Sequence, residues 1–244
     1  MKRTGLYVLL VMLVSAGLVG SAVGKDYKDI SATELRQMME QEQSLVVFPL
    51  SRIEFNDRHI AGSVNIPLSR LPEGLPADKS RKVVFYCLGI KCTASWRAAE
   101  KAVEAGYENV YAFREGLPAW EAAGYPTETV EALPDATFTT ISPAQLNKRL
   151  MADTDTIILD IRLRTDADKF WIDHPSRIYI SMDEMLERYG EIPKGKTIAV
   201  LCLKGKRSPT VIRFLAAKGF DTLLHVEGGI QQWMLEGLPV VARK

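Results

Sequence analysis

Cysteine and histidine are both scarce in this chain, at three of each in 244 residues. Three cysteines are too few to staple a small disulfide framework. Three histidines at positions 59, 174 and 225 offer no cluster of metal-ligand spacing. No metal and no cofactor is expected. An excess of charge is missing too, because 31 Lys and Arg stand against 30 Asp and Glu for a net +1. A protein that tracks phosphates needs a basic surplus, so nucleic acid is excluded as a partner. Aromatic residues reach only 8%, yet 47% hydrophobic and 25% charged content describes an ordinary globular chain and excludes a disordered tail or a collagen-like fibre. The length suits one large domain or two small ones.

Long apolar runs are absent with one exception. Lys2 and Arg3 precede an uncharged stretch, residues 4–24, with its apolar centre at residues 6–14 and the small residues Ser21, Ala22 and Gly24 at its end. This order is that of a signal peptide over residues 1–24, with Ala22-Val23-Gly24 as the cleavage site before Lys25. The chain is therefore expected to be exported, to the periplasm or beyond. The alternative is an uncleaved anchor facing the periplasm, since the stretch approaches the roughly 20 residues a spanning helix needs. Removing residues 1–24 takes away two basic residues and no acidic one, so the mature chain stays near neutral.

The remainder of the chain is a repeat. Ile30-Ser31-x-x-x-Leu35 recurs 111 positions later as Ile141-Ser142-x-x-x-Leu146. Each opens an amphipathic helix with serine as N-cap, supported three residues on by Glu34 or Gln145. Apolar strands follow at residues 45–48 and 157–159. Further on, Val83-Val84-Phe85-Tyr86-Cys87 matches Ile198-Ala199-Val200-Leu201-Cys202, so each cysteine closes a buried strand. A Gly-bearing loop and a helix then lead to Gly106-Tyr107 or Gly219-Phe220. Short strands at 110–113 and 223–226 precede Glu115-Gly116-x-x-x-Trp120 and Gly228-Gly229-x-x-x-Trp233, and Gly-x-Pro closes both halves. Cysteine to the Gly-aromatic pair spans 19 residues in the first half and 17 in the second, cysteine to tryptophan 33 against 31, and cysteine to Ser95 or Ser208 8 against 6. All three differ by two, so the insertion lies in the loop after the cysteine.

Strands alternating with helices at this spacing predict an α/β fold, with one mainly parallel sheet flanked by helices in each half. The domains are expected at residues 25–130 and 131–244, with residues 128–140 as a mostly polar linker. Trp120 and Trp233 are expected on core-facing helix sides, and the histidines as hydrogen-bonded structural groups.

The second half carries the sharper chemical signal, Cys202-Leu203-Lys204-Gly205-Lys206-Arg207-Ser208 at a strand-to-helix turn. Such a turn aims a side chain at the crevice beyond the sheet, where loop N–H groups and the helix start gather negative charge. Lys204, Lys206 and Arg207 add three cations, which favour a thiolate and an anionic substrate. Cys202 is the candidate nucleophile. The alternative is an inert core cysteine, since free cysteine is among the most buried residue types.

Cys-x-x-Gly-x-Arg-Ser after a strand, then Gly-Phe, Gly-Gly-x-x-x-Trp and Gly-x-Pro, resembles the rhodanese (thiosulfate sulfurtransferase) domain. The likeness covers residues from about 28 to about 242 as a tandem pair of rhodanese-like domains. The resemblance implies that Cys202 attacks the outer sulfur of thiosulfate or a polysulfide, forms a persulfide, and passes the sulfur to a thiol or a protein acceptor. Leu203, Lys204, Gly205, Lys206, Arg207 and Ser208 would form the substrate-binding loop. Mercaptopyruvate-specific relatives have a loop poor in charge, so the basic loop favours thiosulfate or polysulfide. Asp160-Ile161-Arg162 matches the family's Asp-x-Arg, with Asp160 ordering the site and Arg162, together with Arg164, facing the anion; the alternative for Arg162 is a salt-bridged strand end. Where the family has Gly-His-Ile-x-Gly-Ala, this half has Asp173-His174-Pro175-Ser176-Arg177.

The first half departs elsewhere. Arg58-His59-Ile60-Ala61-Gly62-Ser63 matches the segment missing from the second half, but Asp-x-Arg is replaced, with Phe48 or Pro49 for the Asp and Leu50 or Ser51 for the Arg. Its longer loop, Cys87-Leu88-Gly89-Ile90-Lys91-Cys92-Thr93-Ala94-Ser95, carries one charge and should bind anions weakly. Cys87 and Cys92 have three readings as a possible second site: a persulfide-forming Cys87 with Cys92 as resolving thiol, a redox disulfide, or a buried Cys87 beside a spectator. Three functions compete for the whole chain. The first is an exported sulfurtransferase. The second is a non-catalytic persulfide carrier or protein-binding module with a redox-active Cys87–Cys92 pair, separated from the enzyme by its lack of steady-state turnover. The third is phosphatase or arsenate-reductase chemistry, which needs Arg six residues after the cysteine, whereas Arg207 comes five after Cys202.

Overall fold

A computed structural model describes residues 27–41, 44–152 and 155–243. The expected signal peptide, residues 1–24, lies outside the described residues. Both halves open as their sequences predict. Ser31 N–H donates to Glu34 at 2.8 Å and Glu34 N–H to Ser31 Oγ at 3.3 Å. Ser142 N–H donates to Gln145 Oε1 at 2.8 Å and Gln145 N–H to Ser142 Oγ at 3.2 Å. These reciprocal bonds satisfy N–H groups that a helix start leaves unpaired. The helices Ala32–Gln41 and Pro143–Ala152 then bury Leu35 and Leu146 completely.

Each half builds a five-stranded parallel sheet, and the two sheets share one strand order. In the first half the order across the sheet is Lys28–Asp29, Val110–Phe113, Val83–Tyr86, Leu45–Phe48, Val64–Asn65. In the second it is Thr139–Ile141, Leu223–Val226, Thr197–Leu201, Thr156–Asp160, Arg177–Tyr179. The central strands are apolar without alternation because helices cover both faces of a parallel sheet. On one face of the second sheet the helix Ser208–Ala217 buries Val211, Ile212, Phe214 and Leu215, spaced for one helical side. The corresponding helix Ala94–Glu104 buries Ala98, Ala99 and Ala102, whose small side chains bring it close to the first sheet.

The Gly-x-Pro that closes each half also has a structural cause. Trp120 Nε1 donates to Pro126 O at 2.9 Å and Trp233 Nε1 to Pro239 O at 3.0 Å. Both indoles are buried, and this bond satisfies their polar atom.

The linker is more firmly held than its polar composition predicts. Leu133 is buried and joins the core of the second half, as does Ile53 from the first half's helix Arg52–Asp57. Leu133 N–H donates to Asp57 at 2.9 Å, and Arg213 reaches Pro134 O at 3.0 Å and Asp57 at 3.2 Å, with a further bond to Leu133 O. Helix Arg52–Asp57 therefore docks on helix Ser208–Ala217, the helix that follows the Cys202 loop.

Candidate active site

Cys202 directly follows the strand Thr197–Leu201, and the helix Ser208–Ala217 begins six residues later. The residues between turn tightly enough that another segment's backbone must pass almost in contact with them. A Cβ on Gly229 would stand 2.2 Å from Cys202 O and 2.9 Å from Gly205 N, and its φ is +59°. Only glycine fits both demands, which explains the Gly228-Gly229 pair. In the first half a Cβ on Gly116, at φ +65°, would likewise stand 2.1 Å from Cys87 O. Ile230 N–H donates to Cys202 O at 3.0 Å and Gln231 N–H to Leu203 O at 3.1 Å. These bonds tie down two loop carbonyls. Among the described residues, the N–H groups of Leu203, Lys204, Gly205, Lys206 and Arg207 donate to no protein acceptor. A turn of free amides beside a helix start is suited to an anion.

Cys202 is buried, and it is the one free cysteine. Its Sγ lies 3.9 Å from Ser208 Oγ, which in turn lies 2.8 Å from His225 Nδ1. Lys204 and Lys206 are exposed. Arg207 departs from expectation, its guanidinium committed to a carboxylate and not open to a donor. Its Nη2 and Nε donate to Glu54 at 2.7 and 3.2 Å. Glu54 comes from the first half, where it also completes a capping box with Ser51 and is 3% exposed. Burial alone would lower the Arg207 guanidinium, but the negative charge of Glu54, with Asp183 and Cys202, outweighs it and raises it. Asp183 is bonded by Ser69 at 2.6 Å, and burial pushes its carboxyl above the ordinary value despite that bond and Arg207. The first domain thus holds one wall of the Cys202 loop in place.

Asp160 is fully buried at the end of its strand and receives two arginines. Arg162 donates to it at 2.8 and 2.7 Å, and Arg177 at 3.1 and 2.8 Å. Of the two readings of Arg162, the structure shows the salt-bridged strand end and not a side chain facing an anion. Its side chain is 0% exposed and also donates to the carbonyls of Asp166 and Phe170. A buried carboxylate needs several donors, and Arg162 supplies them from two residues away. Arg164 is exposed, its guanidinium 4.7 Å from the Tyr179 ring centre. Arg177, from the segment that departs from the family pattern, is the second partner. In the first half Val47 pairs with Phe85 as Leu159 pairs with Val200, so Phe48 occupies the place of Asp160 and Leu50 that of Arg162. Both are buried apolar residues, so the charged cluster has no counterpart there.

The first half's loop is closed covalently. Cys87 and Cys92 form a disulfide with Cα atoms 6.3 Å apart. Leu88 and Ile90 project from the closed loop, 44% and 70% exposed. Between the halves lies a cleft of about 310 Å³, walled by Leu88, Glu54, Thr210 and Arg213 among others; Cys202 is not part of its lining. His59 is stacked on Phe55 with ring centres 3.7 Å apart, and His174 is bonded to Ser176 at 2.7 Å. Sequence reasoning missed Glu54, Arg177 and His225. Ser51-x-x-Glu54 is a legible capping signature, but nothing in the sequence links it to Arg207.

Set beside known families, residues 31–123 and 142–236 each match the rhodanese-like domain. The chain belongs to the rhodanese-like family. It is a tandem rhodanese domain protein, one domain per sheet. A sulfurtransferase of Allochromatium vinosum is 31% identical over 102 residues, 42% of this chain and 94% of that protein. The thiosulfate sulfurtransferase GlpE of Actinobacillus pleuropneumoniae is 31% identical over 105 residues, 43% and 94%. A rhodanese-related protein of Thermoplasma volcanium has a solved structure with 31% identity and a TM-score of 0.39, covering 43% of this chain and 100% of its own. Each of these relatives corresponds to about one rhodanese domain of the tandem.

Proposed function

We propose that this chain moves sulfane sulfur from thiosulfate or a polysulfide to a thiol through a persulfide on Cys202. Its membership of the rhodanese-like family and its sulfurtransferase relatives support sulfurtransferase chemistry in general. The observation that carries the finer reading is the free Cys202 at a strand end, beside a turn of amides that donate to no protein acceptor. The Cys202 thiolate attacks the outer sulfur, the donor's S–S bond breaks, and sulfite or a shortened polysulfide leaves with the bonding pair. An acceptor thiolate then attacks the outer sulfur of the persulfide and restores the Cys202 thiolate. The loop amides hold the charge that builds on the departing anion.

Lys204 and Lys206 attract the donor, while Arg207 is committed to Glu54. Replacing both lysines by alanine is expected to raise KM for thiosulfate roughly tenfold at low salt, with kcat little changed and the difference shrinking as salt rises. Steady-state kinetics across a salt series checks this. A KM that ignores both the substitutions and the salt would place anion capture elsewhere.

The export reading belongs to the same proposal. A disulfide at Cys87–Cys92 suits an oxidising compartment. Sequencing the N-terminus of the protein from the exported fraction is expected to begin at Lys25, and a terminus at Met1 would favour the anchored alternative.

A further inference from the structure

Cys202 is the strand-end cysteine with a hydrogen-bonded path leading away from its sulfur. The thiol points to Ser208 Oγ at 3.9 Å, and Ser208 Oγ lies 2.8 Å from His225 Nδ1. Local structure places both partners. Ser208 opens the helix after the loop. His225 pairs in register with Val200, two residues before Cys202. Its strand neighbours Leu224 and Val226 face the core around Trp233, so alternation turns His225 to the opposite face, toward Ser208.

The first domain supplies an internal comparison. There the same register position, opposite Phe85 and two residues before Cys87, is held by Ala112. Ser95 is fully buried, and its hydroxyl has no hydrogen-bond partner. Serine is thus kept at the helix start of both domains, whereas histidine accompanies only the cysteine that is free.

We propose that His225, acting through Ser208, takes the thiol proton of Cys202 as the sulfur attacks, a relay that makes this cysteine the more nucleophilic. The S–H proton moves to Ser208 Oγ as the Ser208 O–H proton moves to Nδ1 of His225. Serine ends as it began, and the proton rests on an imidazolium with no electron transferred. His225 touches neither sulfur nor donor and is a positioning residue. Around its ring stand Ser208, the Gly205 turn, the Phe138 ring at 5.8 Å between centres, and the charge of Glu227. Burial lowers the ring below its ordinary value and Glu227 only partly offsets this, so the imidazole is neutral at neutral pH and open to a proton. Gly205 O is a competing acceptor for the Ser208 proton, but at 3.3 Å it is farther than Nδ1.

This inference rests on Cys202 being the sulfur-carrying thiol, but its test needs no sulfur transfer. With the disulfide intact Cys202 is the only thiol, so alkylation by iodoacetamide across pH reads its reactivity alone. In the native protein, alkylation is expected to fall as the pH drops through the His225 titration, below its ordinary value of 6.5. His225→Asn keeps an acceptor for Ser208 but cannot take a proton. It should lose that step and alkylate roughly tenfold more slowly at neutral pH. Ser208→Ala should lose the same step with His225 in place, and Ser208→Thr should regain it. An unchanged profile in His225→Asn overturns the proposal. Titration of the His225 ring by NMR needs no variant: its midpoint should move when Cys202 is alkylated, and a fixed midpoint overturns the relay. An intact relay in a protein that never loads sulfur would instead overturn the sulfurtransferase reading.

Discussion

Cys202→Ser is expected to lower sulfur transfer from thiosulfate by roughly 10³-fold or more while leaving the fold unchanged. A serine hydroxyl fills the same space at the end of Thr197–Leu201 and can still bond Ser208. It cannot ionise at neutral pH, and it forms no persulfide. Binding of the donor to the loop amides survives, so KM should change far less than kcat. The double variant Cys87→Ser/Cys92→Ser should retain transfer, because in the native chain these two sulfurs are joined to one another and neither is a free thiol. Initial rates with thiosulfate and a thiol acceptor decide the matter, and steady-state turnover in the native protein separates an enzyme from a carrier that loads once. Full activity in Cys202→Ser would remove this cysteine from the mechanism.

Asp160→Asn is expected to cost about 3–5 kcal/mol of stability. The substitution keeps the shape and removes the charge that two arginines share, one of them with its side chain 0% exposed. An uncompensated buried guanidinium is the costly outcome, since the carbonyls of Asp166 and Phe170 offer it dipoles but no charge. Urea melts at constant slope measure the loss. A change under about 1 kcal/mol would show that Arg162 and Arg177 find other partners. The strand end beside Leu201 is pinned by this cluster, so transfer activity should fall before global unfolding does.

Much of this was legible because it is local. The Ser31 and Ser142 caps and the apolar strands closed by cysteine are each set by residues close in sequence. The 111-residue repeat exposed the division into two like halves, since two copies of one pattern mark the strands and helices even where either alone is ambiguous. Long side chains were the part that sequence could not place. Arg207 and Glu54 are 153 residues apart, and both sit in motifs with sound local readings, an anion loop and a capping box. Which cation meets which carboxylate depends on how one domain docks on the other. Arg162 shows the same limit at short range, because strand alternation does not say whether a guanidinium turns outward or folds back two residues onto Asp160. His225 looked structural because its partner, Ser208, lies 17 residues away on a different element.

Transfer through Cys202 requires that the sulfur ride on that residue and on neither Cys87 nor Cys92. Intact-protein mass spectrometry of the disulfide-bonded chain after incubation with thiosulfate, followed by peptide mapping, reads this directly. The expected result is a gain of one sulfur atom, mapped to Cys202, with the Cys87–Cys92 bridge unchanged. Sulfur on Cys87 or Cys92, or a Cys202 that stays unmodified, would contradict it.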